Sequence, residues 1–190
     1  MRSLHIEKKG LRGLAIAESF MQNSKKSVLA GVVMRRDFVI DDFVIGSSTL
    51  EGDDATEEII RMYKKLDRPD ISYVLISGVI ISMYNIVEPK KIASEIQIPV
   101  IAVTYEDSEG IEGAIKYHFP KNFEKKLEQY DSLEKRQKIK LHTGKDVFVR
   151  CEGCSSKVVK KLLDGLTLQG HVPESLRVAN LLAKRILLGK

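Results

Sequence analysis

The spacing of hydrophobic and polar positions predicts that the chain begins with three short strands. Apolar residues dominate 10–20, 27–34 and 38–50, and the joints between these segments are short and polar. Three consecutive strands with short joints are typical of an antiparallel meander. The first part of the chain is therefore predicted to form one side of a β-sheet.

The following segments predict a β-α-β unit built around one central strand. Residues 71–81 form a nearly unbroken apolar run, which is typical of a strand buried on both faces. An amphipathic helix is predicted before it at 55–66, and a second helix, 88–96, leads to another apolar run at 98–103. Ser77 and Gly78 fall where the central strand ends or bends, and ligands of open α/β sheets gather at the carboxyl ends of such strands.

The rest of the chain predicts further helices and one hairpin. The predicted helices cover 107–117, 119–138, 156–166 and 173–188, and the hairpin joins 139–142 to 146–150. The segment order predicts a single α/β domain over 1–190, with a five-stranded mixed sheet flanked by helices, which is the ribonuclease H-like layout. In that layout the first and fourth strands are neighbours, so Ala17 and Glu18 should lie beside Ser77 and Gly78.

Composition changes this picture only modestly. The 190 residues carry a net charge of +5, which permits a nucleic-acid partner. The N-terminal residues lack the apolar core of a signal peptide, and no apolar run reaches membrane-spanning length. These features predict a cytoplasmic protein whose two cysteines are reduced. They do not predict an oligomeric state.

Four short motifs identify a family in combination. They are Gly-Asp-Asp-Ala-Thr at 52–56, Asn-Ile-Val-Glu at 85–88 after Gly78, Ile-Pro-Val-Ile-Ala-Val-Thr at 98–104, and Pro-Glu-Ser-Leu-Arg-Val-Ala at 173–179. With these motifs the chain resembles a largely archaeal family of proteins of unknown function that is distantly similar to endonuclease V. The resemblance covers almost the whole chain and implies an endonuclease V-like fold.

The resemblance also implies a chemistry that this sequence carries incompletely. Endonuclease V enzymes cut nucleic acid beside deaminated adenine and use Mg²⁺ held by acidic residues. The first-strand Asp of that pattern falls here on Ala17, the fourth-strand Asp on Ser77, and the Glu near Asp53 or Asp54. Glu18 lies one residue from Ala17, and on a strand it faces the opposite side unless a bulge or the strand end redirects it.

Three functional hypotheses follow. The favoured one is a nucleic-acid-binding protein with a degraded metal site and little or no nuclease activity. The second is an active Mg²⁺- or Mn²⁺-dependent endonuclease on deaminated nucleic acid, with Glu18 and Asp54 as candidate metal ligands and Glu88 as a further carboxylate. The third is a protein-interaction or regulatory module. No cofactor is predicted outside the second hypothesis.

The candidate cleft contains residues from several segments. Its candidates are Ala17, Glu18, Asp54, Ser77, Gly78 and Asn85. Arg177 is a candidate nucleic-acid contact, although an ion pair with Glu174 one helical turn away explains it equally well.

The cysteines and histidines carry weaker signals. Cys151 and Cys154 follow a strand and precede a helix, which suits structural cysteines, a redox pair, or two ligands of a zinc ion completed by His142 or His171. The structural interpretation is favoured. The four histidines, His5, His118, His142 and His171, show no ligand spacing and are expected at the surface.

Overall fold

A seven-stranded mixed sheet forms the centre of the molecule. The computed structural model describes residues 4, 6–8, 10–107, 110–121 and 123–189. The sheet strands are β1 (Arg12–Ser19), β2 (Val28–Arg35), β3 (Ile40–Gly46), β4 (Ile71–Ser77), β7 (Val100–Thr104), β8 (Gln137–Lys140) and β9 (Asp146–Glu152). They lie in the order β3-β2-β1-β4-β7-β9-β8.

Within the described residues, the sheet is accompanied by a short hairpin and six helices. The hairpin pairs β5 (Ile80–Ile81) with β6 (Asn85–Ile86). The helices are α1 (Ala55–Leu66), α2 (Pro89–Ile96), α3 (Glu112–His118), α4 (Phe123–Asp131), α5 (Ser156–Leu166) and α6 (Glu174–Leu188).

The three central strands run parallel and share one carboxyl end. β1 pairs antiparallel with β2 and parallel with β4, in a register that joins Ile16 to Ile76. β4 in turn pairs parallel with β7, where Ser77 lies opposite Val103. The ends of β1, β4 and β7 are therefore brought to one edge of the sheet.

Alternating side chains of the central strands build a core on each face. Leu14 and Ile16 pack on the face covered by α1 and α2, with Ile59 of α1 in the same cluster. Ala15 packs on the opposite face beside α5, and Ala17 contacts the cluster of α6 there. This period-two pattern places successive residues of β1 on opposite sides of the sheet.

The predicted fold class is confirmed, but the predicted strand number is wrong. The sheet has seven strands instead of five, because β9 adds antiparallel to the edge of β7 and carries β8 with it. The sequence predicted this hairpin but gave no reason to place it in the main sheet. A neighbour of β7 cannot be inferred from the hairpin's own residues.

Three element boundaries also differ from those predicted. The central strand ends at Ser77 instead of continuing to residue 81, because Gly78 takes a positive φ of 87° and starts a new direction. The charged helix predicted at 119–138 is reduced to α4, and its last residues belong to β8. The helix predicted at 107–117 is α3, and the predicted segment includes residues outside those described.

Within the part of the chain that the structure describes, no helix combines the length and the apolar character needed to cross a membrane.

Candidate functional site

The end of β1 separates Ala17 and Glu18 onto opposite faces of the sheet. Ala17 is buried and packs in the same cluster as Ala179 of α6. The Glu18 carboxylate lies on the other face, where it accepts hydrogen bonds from the Ser82 amide and the Ser82 hydroxyl, both at 2.8 Å. Glu18 therefore does not occupy the position of the residue that Ala17 replaces.

Ser82 joins this carboxylate to a buried cluster of hydroxyl groups. Ser27, Ser48 and Ser82 are all buried, and their hydroxyl oxygens lie 2.6–2.9 Å from one another. Burial raises the pKa of Glu18, and the two donors of Ser82 offset only part of that effect. Glu18 thus works as a hydrogen-bond acceptor that fixes Ser82.

Asp54 and Asn85 form a second polar network ahead of α1. The Asp54 carboxylate accepts hydrogen bonds from the Thr49 amide at 2.9 Å, the Thr49 hydroxyl at 2.7 Å and Asn85 Nδ2 at 2.7 Å. Asn85 is fully buried, and its Oδ1 accepts from the Ala55 amide at the start of α1. Although burial raises the pKa of Asp54, these hydrogen bonds lower it below its ordinary value.

A buried lysine joins α4 to these networks. Lys126 Nζ donates to the carbonyls of Gly52 and Tyr84 at 3.0 and 2.9 Å, and it lies 3.0 Å from a carboxylate oxygen of Asp53. The same ammonium lies 4.9 Å from the centre of the Phe119 ring. The periodicity of the sequence gave no sign of this contact, because a lysine in a charged helix is expected at the surface.

The turn between β5 and β6 is held at both ends by these groups. Residues 82–84 have consecutive positive φ values of 47°, 54° and 67°, which are costly for residues other than glycine. Glu18 binds the Ser82 end, and Lys126 binds the Tyr84 carbonyl. We refer to residues 82–84 as the left-handed turn.

Two positions at which the resemblance implies metal-binding carboxylates hold other residues in this chain. Ala17 supplies no donor atom, and Ser77 supplies a neutral hydroxyl. The oxygens of Glu18 and Asp54 already accept hydrogen bonds in two separate networks. Among the described residues, no three His, Cys, Asp or Glu side chains are grouped so that they could hold a metal ion.

Ser77 and Gly78 instead border open space at the end of β4. A cavity of about 360 Å³ lies there, which we call the strand-end cavity. Its lining includes Ser77, Gly78, Tyr105, Tyr130, Arg136 and Arg150. The Gly78 amide donates to the Val103 carbonyl at 2.9 Å, so the turn that opens this space is fixed to β7.

Two guanidinium groups on aromatic rings border the strand-end cavity. Arg150 of β9 lies 5.6 Å from the centre of the Tyr130 ring, and Arg136 lies 5.0 Å from the centre of the Phe148 ring. Arg150 Nε donates to the Glu134 carbonyl at 2.7 Å, and burial lowers the pKa of Arg150. Arg136 donates to the Glu106 carbonyl at 3.2 Å and pairs with Asp107 at 3.6 Å.

Arg177 lines a neighbouring cavity of about 270 Å³ with Asn180 of α6. Ser77 and Tyr105 line both this cavity and the strand-end cavity. Burial raises the pKa of Tyr105 to about 12, and the nearby Ser77 side chain opposes part of that shift. Arg177 also pairs with Glu174, as its spacing on the helix suggested.

The predicted cleft therefore divides into three parts. Glu18 binds the left-handed turn, Asp54 and Asn85 lie in their own network, and Ser77 with Gly78 borders the strand-end cavity. Sequence reasoning missed Tyr105, Arg136 and Arg150. A basic residue within the apolar run at 146–150 was an available signal for Arg150.

The remaining histidines and cysteines lie outside this edge of the sheet, apart from one. The His171 ring stacks on Tyr105 with a centre-to-centre distance of 5.0 Å. His118 contacts the Tyr84 ring, and His142 lies near Asp164. His5 lies outside the described residues.

Comparison with known proteins places the chain in a family. The sequence profile of endonuclease dU matches residues 9–187. The chain belongs to the endonuclease dU family. A UPF0215 protein of Pyrobaculum calidifontis is 32% identical over 91% of this chain and 95% of its own length. A UPF0215 protein of Methanosarcina barkeri is 33% identical over 95% of this chain and 92% of its own length.

Two solved structures share the fold of this endonuclease dU family member. A protein of unknown function from Archaeoglobus fulgidus matches with a TM-score of 0.79, at 22% identity over 93% of this chain and 98% of that one. Endonuclease V of Ciona intestinalis, solved with a 24mer DNA containing an inosine, matches with a TM-score of 0.62. The latter is 14% identical over 94% of this chain and 86% of that one, so it shows a shared fold.

Proposed function

We propose that this chain binds uracil-containing DNA at the strand-end cavity. The observation that carries the proposal is the cavity at the carboxyl ends of β4 and β7, bordered by the guanidinium groups of Arg136 and Arg150. Ligands of open α/β sheets bind at this edge. The family description names deoxyuridine, which is the product of cytosine deamination in DNA.

The chemistry of the cavity suits one extruded nucleotide. Its volume of about 360 Å³ lies within the range of about 300–1,000 Å³ typical of small-ligand pockets. Aromatic side chains provide faces on which a base can stack, and guanidinium groups bind phosphate through paired N–H donors. The net charge of +5 adds general attraction to a polyanion.

We also propose that the carboxylate metal centre of endonuclease V is degraded in this chain. The proposal is supported by Ala17 and Ser77 at two ligand positions and by the hydrogen bonds that occupy Asp54. Calorimetric titration with Mg²⁺ and Mn²⁺ should give the same small heats for the wild-type chain and Asp54→Asn. Saturable binding that Asp54→Asn abolishes would contradict a degraded centre.

The DNA proposal is tested with labelled single strands that differ only in one uracil or thymine. The uracil strand should bind more tightly, and the affinity should fall as salt rises because phosphate contacts release counterions. Arg150→Gln should weaken binding about tenfold, which corresponds to one lost charge-assisted contact of about 1.4 kcal/mol.

Lys184→Gln is the matched control, because Lys184 is an exposed cation on α6. It should change the affinity much less than Arg150→Gln does. Equal effects of the two substitutions would show that binding depends only on net charge. A complete lack of binding at low salt would reject the DNA proposal.

Cleavage of uracil-containing DNA is the second candidate function, and the family match favours it. If the chain cuts, the uracil strand should be incised in the presence of Mg²⁺ or Mn²⁺ while the thymine strand stays intact. Loss of incision in Glu18→Gln or Asp54→Asn would assign the chemistry to these carboxylates. Incision that survives both substitutions but is lost in Arg150→Gln would place the chemistry at the strand-end cavity.

A further inference from the structure

A pair of cysteines follows Arg150, one of the residues that line the strand-end cavity. Cys151 follows Arg150 in β9, and Cys154 comes two residues before α5 begins at Ser156. The chain reverses between the cysteines at Gly153, whose φ is 79°. Both cysteines are free thiols in this structure and both are partly buried.

The turn brings the two cysteines together. The Cys151 thiol donates a hydrogen bond to the Cys154 carbonyl oxygen, with a sulfur–oxygen distance of 3.5 Å. The neighbouring Cys154 side chain lowers the pKa of Cys151, whereas the same proximity raises the pKa of Cys154. Cys151 also lines a cavity, so it is the sulfur that a reagent meets first, and Cys154 is placed to attack it in turn.

Small reagents have a route to one of these sulfurs. Cys151 lines a third cavity, of about 410 Å³, which also reaches Lys90, Lys91 and Glu134. Arg150 lines both this cavity and the strand-end cavity, so the backbone of β9 connects the two spaces. Cys151 and Arg150 therefore share one cavity, and Arg150 also borders the strand-end cavity.

We propose that Cys151 and Cys154 form a peroxide-reactive dithiol site whose oxidation weakens ligand binding at the strand-end cavity. The Cys151 thiolate attacks one oxygen of hydrogen peroxide, the O–O bond breaks, and the hydroxide released takes up a proton to become water. Cys154 sulfur then attacks the Cys151 sulfenic acid, its thiol proton leaves with the hydroxyl group as water, and the disulfide forms. Two thiols and one peroxide thus give one disulfide and two water molecules.

The first part of the test concerns the thiols alone. The full reduced chain is treated with equimolar hydrogen peroxide and digested, and the peptide spanning 151–154 should lose two hydrogens in mass and recover them with dithiothreitol. In Cys154→Ser the oxidation should stop at the sulfenic acid, which dimedone labels at Cys151. In Cys151→Ser, dimedone should label nothing at residues 151–154. Labelling of Cys154, or no disulfide in the wild-type chain, would overturn the proposal.

The second part concerns the link to the cavity, and it rests on the proposed DNA binding. The disulfide form should bind the uracil strand about fivefold more weakly than the reduced form, since Arg150, which lines both cavities, is the neighbour of Cys151 in β9. Cys154→Ser treated with dithiothreitol throughout should bind like the reduced wild-type chain. Unchanged affinity on disulfide formation would reject the link, whereas failure of the reduced chain to bind DNA would reject the proposed function and leave the thiol result to stand by itself.

Discussion

The two sides of the sheet edge use their polar groups in different ways. The carboxylates of Glu18 and Asp54 accept hydrogen bonds from nearby amides and hydroxyls. Around Ser77, the polar groups are cations on aromatic rings that border open space. The difference teaches that the acidic residues of this edge lie in networks of internal hydrogen bonds, whereas basic residues that no motif marks lie at its cavity.

The largest expected effect on stability comes from removing the Asn85 side chain, which binds both Asp54 and the start of α1. In Asn85→Ala, Asp54 and the Thr49 carbonyl each lose a donor, and the buried Ala55 amide loses its acceptor. We expect the free energy of unfolding to fall by about 3 kcal/mol, since buried polar groups are left unpaired. Urea denaturation followed by circular dichroism measures this change.

Asn23→Ala is the control for that substitution, because Asn23 is exposed in a turn. It should leave the urea midpoint almost unchanged. If Asn85→Ala were equally harmless, the Asp54 network would not stabilise the fold, and Asp54 would be available for other partners.

The next largest expected effect on stability distinguishes two adjacent lysines of α4, one buried and one exposed. Lys126→Met removes three hydrogen bonds of a buried ammonium and leaves the Gly52 and Tyr84 carbonyls without this donor. We expect a loss of about 2 kcal/mol in the free energy of unfolding. Lys125→Met removes only an exposed ion pair with Asp53 and should change stability little. Equal effects of the two substitutions would show that the buried contacts of Lys126 stabilise the fold no more than an exposed ion pair does.

The smallest of these effects is a dependence of stability on pH. The raised pKa of Glu18 means that the folded chain holds this proton more tightly than the unfolded chain does, so the contribution of this group to stability is fully present below the ordinary value of 4.5 and is lost as pH rises through the folded pKa. In urea titrations at a series of pH values, the stability of the wild-type chain relative to that of Glu18→Gln should therefore fall as pH rises. Glu128→Gln, at an exposed position on α4, should keep the wild-type profile.

The sequence predicted the fold well where periodicity and length agree. Helices α1 and α5 were predicted at their observed bounds, and the neighbouring positions of β1 and β4 followed from the segment order. The strand count was wrong because the place of β9 depends on contacts with β7, which no local pattern encodes.

The candidate site was less predictable for the same reason. The opposite facing of Ala17 and Glu18 follows from strand geometry and could be foreseen. The partner of Glu18 could not, since Ser82 lies 64 residues away and carries no motif. The burial of Lys126 could not be predicted either, because lysines are common in solvated helices. Its partners, the Gly52 and Tyr84 carbonyls, lie outside that helix.

The left-handed turn has a consequence for the order in which the molecule folds. Its two fixing contacts come from far along the chain, at separations of 64 residues for Glu18 and 42 for Lys126. The contact with Glu18 requires β1, which carries Glu18, to lie beside β4, which precedes the turn. The turn should therefore acquire its structure after these two strands have paired, and in pulse-labelled hydrogen exchange during refolding the amide of Ser82 should gain protection after those of β1 and β4.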